Sequence, residues 1–120
     1  MITEKVTLPV GIEIDGVLHR DVVLRPQKVR DSIEALEDAR AQTDESWLGL
    51  ILQCRQIVKL GTLKTEQITP GLLMDLYEVD MQILMEGAVK LRERLRNFRD
   101  KNQESTQGAT GTAQDRLELE

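Results

Sequence analysis

From Pro70 to Lys101 the chain holds no second proline and carries apolar side chains at alternating spacings of three and four residues. Thr69-Pro70 supplies a capping hydroxyl followed by proline at the first helical position, a strong start signal. The pattern predicts one long helix over 70–101. Met74, Tyr77, Met81, Leu84, Ala88, Leu91, Leu95 and Phe98 form a seam along it, while Leu72, Leu76, Val79 and Ile83 form a second stripe that ends before Gly87. The first half is therefore expected to be buried on two sides, and the second half to project a single apolar seam. Gly87 is the one weak point, worth about 1 kcal/mol relative to alanine in a helix interior.

The rest of the chain must cover that helix. Val6, Leu8, Val10, Ile12 and Ile14 alternate, as do Leu18, Val22 and Leu24 after Asp15-Gly16, which is a hairpin pattern over 6–25. A two-residue turn at Asp15-Gly16 would set Leu8 and Val10 on the face opposite Leu18, Val22 and Leu24. A three-residue loop, Ile14-Asp15-Gly16, instead aligns Ile12 with Leu18, Leu8 with Val22 and Val6 with Leu24, and is the expected register. It leaves Arg20 as the one charge on the packed face, opposite Val10, and puts Pro9 on the other face of an edge strand. Pro26 ends the second strand. A helix over 28–41 follows, with Val29, Ile33, Leu36 and Ala39 inward and Asp31, Glu34, Glu37 and Asp38 solvated. After a loop at 42–45, Ser46 is the expected cap of a helix that runs to about Leu60 and stops at Gly61. Its stripe of Trp47, Leu50, Ile51, Cys54 and Val58, widened by Leu48, Leu52 and Ile57, is apolar enough to lie at the centre of the core. Residues 102–120 have no period and little to bury, and are expected to form a disordered polar tail. The fold class is thus α+β, mainly α: a β-hairpin over 6–25 packed on three helices, the last one long, in a single domain over 1–101.

Composition removes several classes of function. One Trp, one Tyr and one Phe among 120 residues cannot make a base-stacking platform. One Cys and one His exclude a disulfide within the chain and the usual Cys/His zinc cluster. No apolar run approaches the roughly 20 residues that span a bilayer, and Met1–Lys5 does not begin a secretory leader, so a reducing cytoplasm is the expected location. The net charge of −5 is unevenly spread. Lys90, Arg92, Arg94, Arg96, Arg99 and Lys101 against Glu93 and Asp100 give +4, leaving −9 for everything else. Cations at a helix C-terminus complement its dipole and commonly flank a coiled-coil seam; phosphate binding is the other use of such a cluster.

No catalytic constellation emerges. His19 and Asp21 share a strand face, but no Ser or Cys occupies a strand-to-helix elbow beside them, so a surface pair is expected. Cys54 is expected to be a small buried hydrophobe, since Arg55 points elsewhere on the helix. Asp31, Glu34 and Asp38 lack the histidine partners or calcium-loop spacing of a metal site. Gly108 and Gly111 do not sit between a strand and a helix, so no phosphate loop is present. Apart from Met1, every methionine (Met74, Met81, Met85) lies on the expected long helix. That clustering suits either an adaptable partner surface or gap-filling in a core.

Val6-Thr7-Leu8-Pro9-Val10, Asp15-Gly16-Val17, Leu24-Arg25-Pro26 and Val29-Arg30-Asp31, with Ile68-Thr69-Pro70 to Leu76 and Asp80, resemble the tail assembly chaperone family of long-tailed and Mu-like phages. The resemblance covers most of residues 6 to 84 and not the basic helix end. It implies a small, non-enzymatic phage or prophage protein of the bacterial host cytoplasm, absent from the finished virion, which binds the largely helical tape measure protein and keeps it soluble until the tail tube polymerises around it. Some members of the family are also made in a frameshifted, extended form. The surface expected to bind the partner comprises Met81, Leu84, Met85, Leu91, Leu95 and Phe98, with Arg92 and Arg96 pairing acidic residues of the client. The same seam is expected to support a homo-oligomer, which would protect it until a client displaces the second copy. No cofactor, metal, small-molecule substrate, membrane or nucleic acid is expected. The alternatives are a nucleic-acid-associated phage regulator using the basic helix end, and a homo-oligomeric structural tail component.

Overall fold

The hairpin closes through two residues, not three. In the computed structural model, which describes residues 2–100, strand β1 (Glu4–Ile14) pairs antiparallel with β2 (Val17–Leu24), and Ile14 faces Val17 across Asp15-Gly16. Both turn residues have positive φ, 52° and 80°, the geometry that matches the twist of a tight hairpin. The expected three-residue loop is therefore corrected. Its rationale, that a two-residue turn would split the apolar set, is answered further along the strand. Thr7 pairs with Asp21 and Ile12 with His19, so residues 8–11 oppose Arg20 alone and β1 carries three extra residues. An odd insertion reverses the side-chain alternation. Val6 thereby faces Val22 while Leu8 and Ile12 still reach the core. Gly11 sits in the bulge at φ 83°, where a Cβ would lie 2.5 Å from Arg20 Cγ, so only glycine fits. Arg20 is exposed, and its Nε–H donates to Leu8 O at 2.9 Å.

Helix α1 (Val29–Ala35) is shorter than expected and is turned the other way round. Asp31 and Ala35 are buried, whereas Val29 is 78 % exposed and Ile33 63 % exposed, with Leu36 exposed beside them. The cause is a partly exposed ion network centred on buried Asp31. Arg25 grips Asp31 through two nitrogens at 2.9 Å each, Arg55 Nε–H donates to Asp31 Oδ1 at 2.9 Å, and Lys28 N–H donates to Asp31 Oδ2 at 2.8 Å. Arg55 also pairs with Glu34. Charge-assisted bonds of this kind hold the acidic side of the helix inward more firmly than three aliphatic side chains draw the other side in. The Arg25 guanidinium, followed by the Lys28 amide and Arg55, keeps the Asp31 carboxyl well below the usual carboxylate range despite its burial.

A 3₁₀ turn (Ala39–Gln42) leads to α2 (Glu45–Gln56), capped by Asp44, whose Oδ1 accepts from Trp47 N–H at 3.2 Å; Ser46 lies inside the helix. The helix does not continue to Leu60. Ile57–Leu60 forms a third strand, β3, antiparallel to β2 in the order β1-β2-β3. Leu24 faces Ile57 and Val23 faces Lys59, so Val58 is an unpaired extra residue. That bulge turns both Ile57 and Leu60 inward, three positions apart, which is the spacing a helix would show. Half-buried Leu50 and Cys54 pack against the core cluster, so α2 lies at its margin instead of its centre.

Thr69 caps a short helix α3 (Pro70–Leu73), its Oγ1 accepting from Leu72 N–H at 3.2 Å, with Pro70 in the first turn as expected. The single helix over 70–101 is interrupted at Tyr77, whose backbone is extended, and α4 (Glu78–Arg96) begins afresh. Glu78 and Asp80 in its first turn are the sequence mark of that start. Lys101 and the expected tail, 102–120, lie outside the described residues. Leu8, Val22, Leu24, Ile57, Leu60, Leu73, Leu84 and Leu91 belong to one buried cluster between the sheet and the helices. The architecture is α+β and mainly α, with a three-stranded antiparallel sheet where a two-stranded hairpin was expected.

Candidate partner-binding surface

Two features set how α4 lies on β1 and hence which of its faces stays open. Asp80 is 0 % exposed, and its two oxygens accept the N–H groups of Val10 (2.9 Å) and Gly11 (2.8 Å). These are amides that the bulge has removed from the β1–β2 ladder, so the carboxylate replaces the missing strand partner. Two turns on, Gly87 is buried where a Cβ would lie 2.8 Å from Leu24 Cδ1 and 3.0 Å from Val6 Cγ1. The absent side chain lets the helix approach the sheet closely, so Gly87 is a contact point and not simply a weakness. Arg94 adds a peripheral tie, donating to Thr3 O and Glu4 Oε1, both at 2.7 Å.

Positions 80, 84, 87 and 91 therefore face the core. Leu84 and Leu91, expected on the exposed seam, are each 1 % exposed and belong to the hydrophobic cluster. They are corrected to core residues, because the face that carries Asp80 and Gly87 is the one that can reach the sheet. The open strip lies one position round the helix. Met81, Met85, Ala88, Arg92 and Leu95 follow each other at spacings of four, three, four and three, the repeat along which a helix meets a second helix that supercoils around it. Met85 is 55 % and Leu95 44 % exposed; Met81 and Ala88 are half-buried and Arg92 is exposed. Phe98 is exposed but follows the helix end at Asn97, with the Arg99 guanidinium 5.5 Å from its ring centroid. Arg96 is exposed on the same flank.

A depression lies at each end of the strip. One, of about 500 Å³, is lined by Leu73, Leu76, Glu78, Met81, Gln82 and Met85. The other, of about 220 Å³, lies between α4 and the link before α1, and is lined by Pro26, Gln27, Gln56, Ala88, Leu91, Arg92 and Leu95. Ala88, Leu73 and Pro26 were not among the expected partner-binding residues. The signal that separates this strip from the buried seam is Gly87, since a glycine inside an apolar helix marks the side of closest approach. Among the described residues, Arg92 and Arg96 have no carboxylate partner, whereas Arg94 is engaged by Glu4.

The remaining candidates resolve into structural roles. His19 is buried and does not form a surface pair with Asp21; its Nδ1 accepts from Thr62 N–H at 3.2 Å, beside Gly61 at φ 57°. Cys54 is half-buried, and burial pushes its thiol up to about 12, away from nucleophilic reactivity. Among the described residues there is no group of three or more His, Cys, Asp or Glu side chains able to hold a metal ion, and no helix is long and apolar enough to cross a membrane. Comparison with protein-family models, curated proteins and solved structures finds no match.

Proposed function

We propose that this chain is a tail assembly chaperone of a long-tailed or Mu-like phage, acting in the host cytoplasm without catalysis, and that it holds a helix of the tape measure protein along α4. The observation that carries the reading is the strip Met81-Met85-Ala88-Arg92-Leu95, a two-heptad line of four apolar residues and one arginine in which Met85, Arg92 and Leu95 are exposed while the neighbouring seam is buried. At 1.5 Å per residue the strip is about 21 Å long, enough to seat about four turns of a client helix. The short motifs that resemble the chaperone family support the same reading.

The chemistry suits a temporary holder. Apolar faces of an unassembled client aggregate in water, and covering them against Met85, Ala88 and Leu95 removes that surface at about 25 cal/mol per Å². Thioethers at Met81 and Met85 adjust to side chains of different shape, so one strip serves successive segments of a long helical client. Arg92 and Arg96 favour acidic residues on the client and disfavour basic ones, which adds selectivity more than strength.

Co-expression with the tape measure protein of the same phage tests the reading. Met85→Glu with Leu95→Glu is expected to move the client from the soluble fraction to the pellet, while Val17→Glu, at the exposed hairpin turn, leaves it soluble. Unchanged client solubility with the double variant would overturn the assignment. One observation favours a second reading: among the described residues Arg92 and Arg96 have no carboxylate partner, as phosphate-binding arginines do. Retention on DNA that falls steeply with salt and disappears in Arg92→Gln with Arg96→Gln supports it, and no retention at low salt removes it.

A further inference from the structure

We propose that the outward face of α1 docks on the α4 strip of a second copy of this chain, so that the protein covers its own partner surface until a client displaces the neighbour. The first ground is the inversion of α1. With Asp31 held inward by Arg25 and Arg55, Val29 and Ile33 on α1 and Leu36 at its C-cap are exposed at spacings of four and three. A contiguous exposed apolar row of this kind is the usual form of a contact surface.

The second ground is that the two faces match. The α1 row repeats at four then three, which is also the spacing from Ala88 to Arg92 and Leu95, so its three side chains fit against one heptad of the strip. Charge matches as well. From Lys28 to Glu45 there are six carboxylates and three cations, Lys28, Arg30 and Arg40, while from Lys90 to Asp100 there are five cations and two carboxylates. Exposed Glu37 flanks the α1 row beside Arg30, which pairs with Glu34, while Arg92 on the strip and Arg96 beside it have no carboxylate partner among the described residues. Two copies of the α4 strip facing each other would instead set arginine against arginine, so the charges favour α1-on-α4 over a symmetric α4 pair. Because the contact joins two different patches, each copy has one of each to offer.

That property supplies the test, by sedimentation equilibrium with no client present. The unmodified chain is expected to sediment above its 13.6 kDa monomer mass. Ile33→Glu and Leu95→Glu, both at exposed positions, are each expected to sediment as monomers with unchanged circular dichroism. An equimolar mixture of the two is expected to regain a 1:1 dimer, since one variant retains α1 and the other retains the strip. Glu37→Arg combined with Arg92→Glu and Arg96→Glu is expected to associate where the Arg92/Arg96 double variant alone does not. The proposal is overturned if Ile33→Glu associates as the unmodified chain does, if the mixture stays monomeric, or if the unmodified chain is a monomer throughout. None of these outcomes involves the tape measure protein, so they leave the client assignment to its own test.

Discussion

Replacing Asp80 with alanine removes both acceptors from the bulge amides. The Asp80 oxygens lie 2.9 Å and 2.8 Å from the nitrogens of Val10 and Gly11, and the side chain is fully buried, so neither bond is diluted by solvent at the carboxylate. Hydrogen bonds to charged groups contribute about 1.5–3 kcal/mol each, and an orphaned buried N–H adds a desolvation penalty. The expected loss is about 3–5 kcal/mol, a large part of the roughly 5–15 kcal/mol that holds a domain folded. For a folded unit of this size that corresponds to a fall in Tm of about 15–30 °C. Asp80→Asn keeps one acceptor and turns an NH₂ towards the other amide, so a smaller loss, of about 2–3 kcal/mol, is expected. Asp75→Ala, at an exposed position before α4, serves as control and should stay within about 0.5 kcal/mol. Urea denaturation gives the free energies, and hydrogen exchange at Val10 and Gly11 gives the local signature. A loss below about 1 kcal/mol in Asp80→Ala, with both amides still protected, would refute the view that this carboxylate joins α4 to the sheet.

Two further outcomes follow from the same packing. Because the folded Asp31 carboxyl is held below its ordinary value, its stabilisation is present above the usual carboxylate range near pH ~4 and is lost as pH falls through the depressed folded value. Asp31→Asn is therefore expected to lose about 1–3 kcal/mol at pH 7, and its deficit against the unmodified chain should shrink steadily on acidification. The two helix-interior glycines should respond with opposite signs. Gly49→Ala, with open space around it, should gain about 0.5–1 kcal/mol from helix propensity, whereas Gly87→Ala should lose about 1–2 kcal/mol because Leu24 and Val6 must move aside. Urea denaturation checks both.

What the amino-acid order made legible was element type where capping and turn chemistry are local. Thr69-Pro70 marks a helix start, and the alternation around Asp15-Gly16 marks a hairpin, which together specify the α+β class. What it concealed were changes of parity. The bulge at 8–11 and the extra residue Val58 each shift the side-chain alternation, so strict counting gave the wrong loop at one site and a helix in place of β3 at the other. The orientation of α1 was hidden for a different reason. Periodicity assumes that the apolar face turns inward, and here Arg25 and Arg55, distant in sequence from each other, draw the acidic face in instead. On α4 the apolar content was legible but its rotation was not, because two neighbouring seams have equal spacing. Asp80 and Gly87, a carboxylate and a glycine within an apolar helix, mark which seam meets the sheet once the strand amides they face are known.

We propose that the open strip of α4 receives the client helix. Methionine methyl resonances report on it directly, since Met81 and Met85 lie on the strip and Met74 is exposed on the chain just after α3. On adding a soluble acidic helical segment of the tape measure protein to the methyl-labelled chain, the Met81 and Met85 signals should shift or broaden while Met74 holds its position. Binding that leaves Met81 and Met85 unmoved would contradict the account.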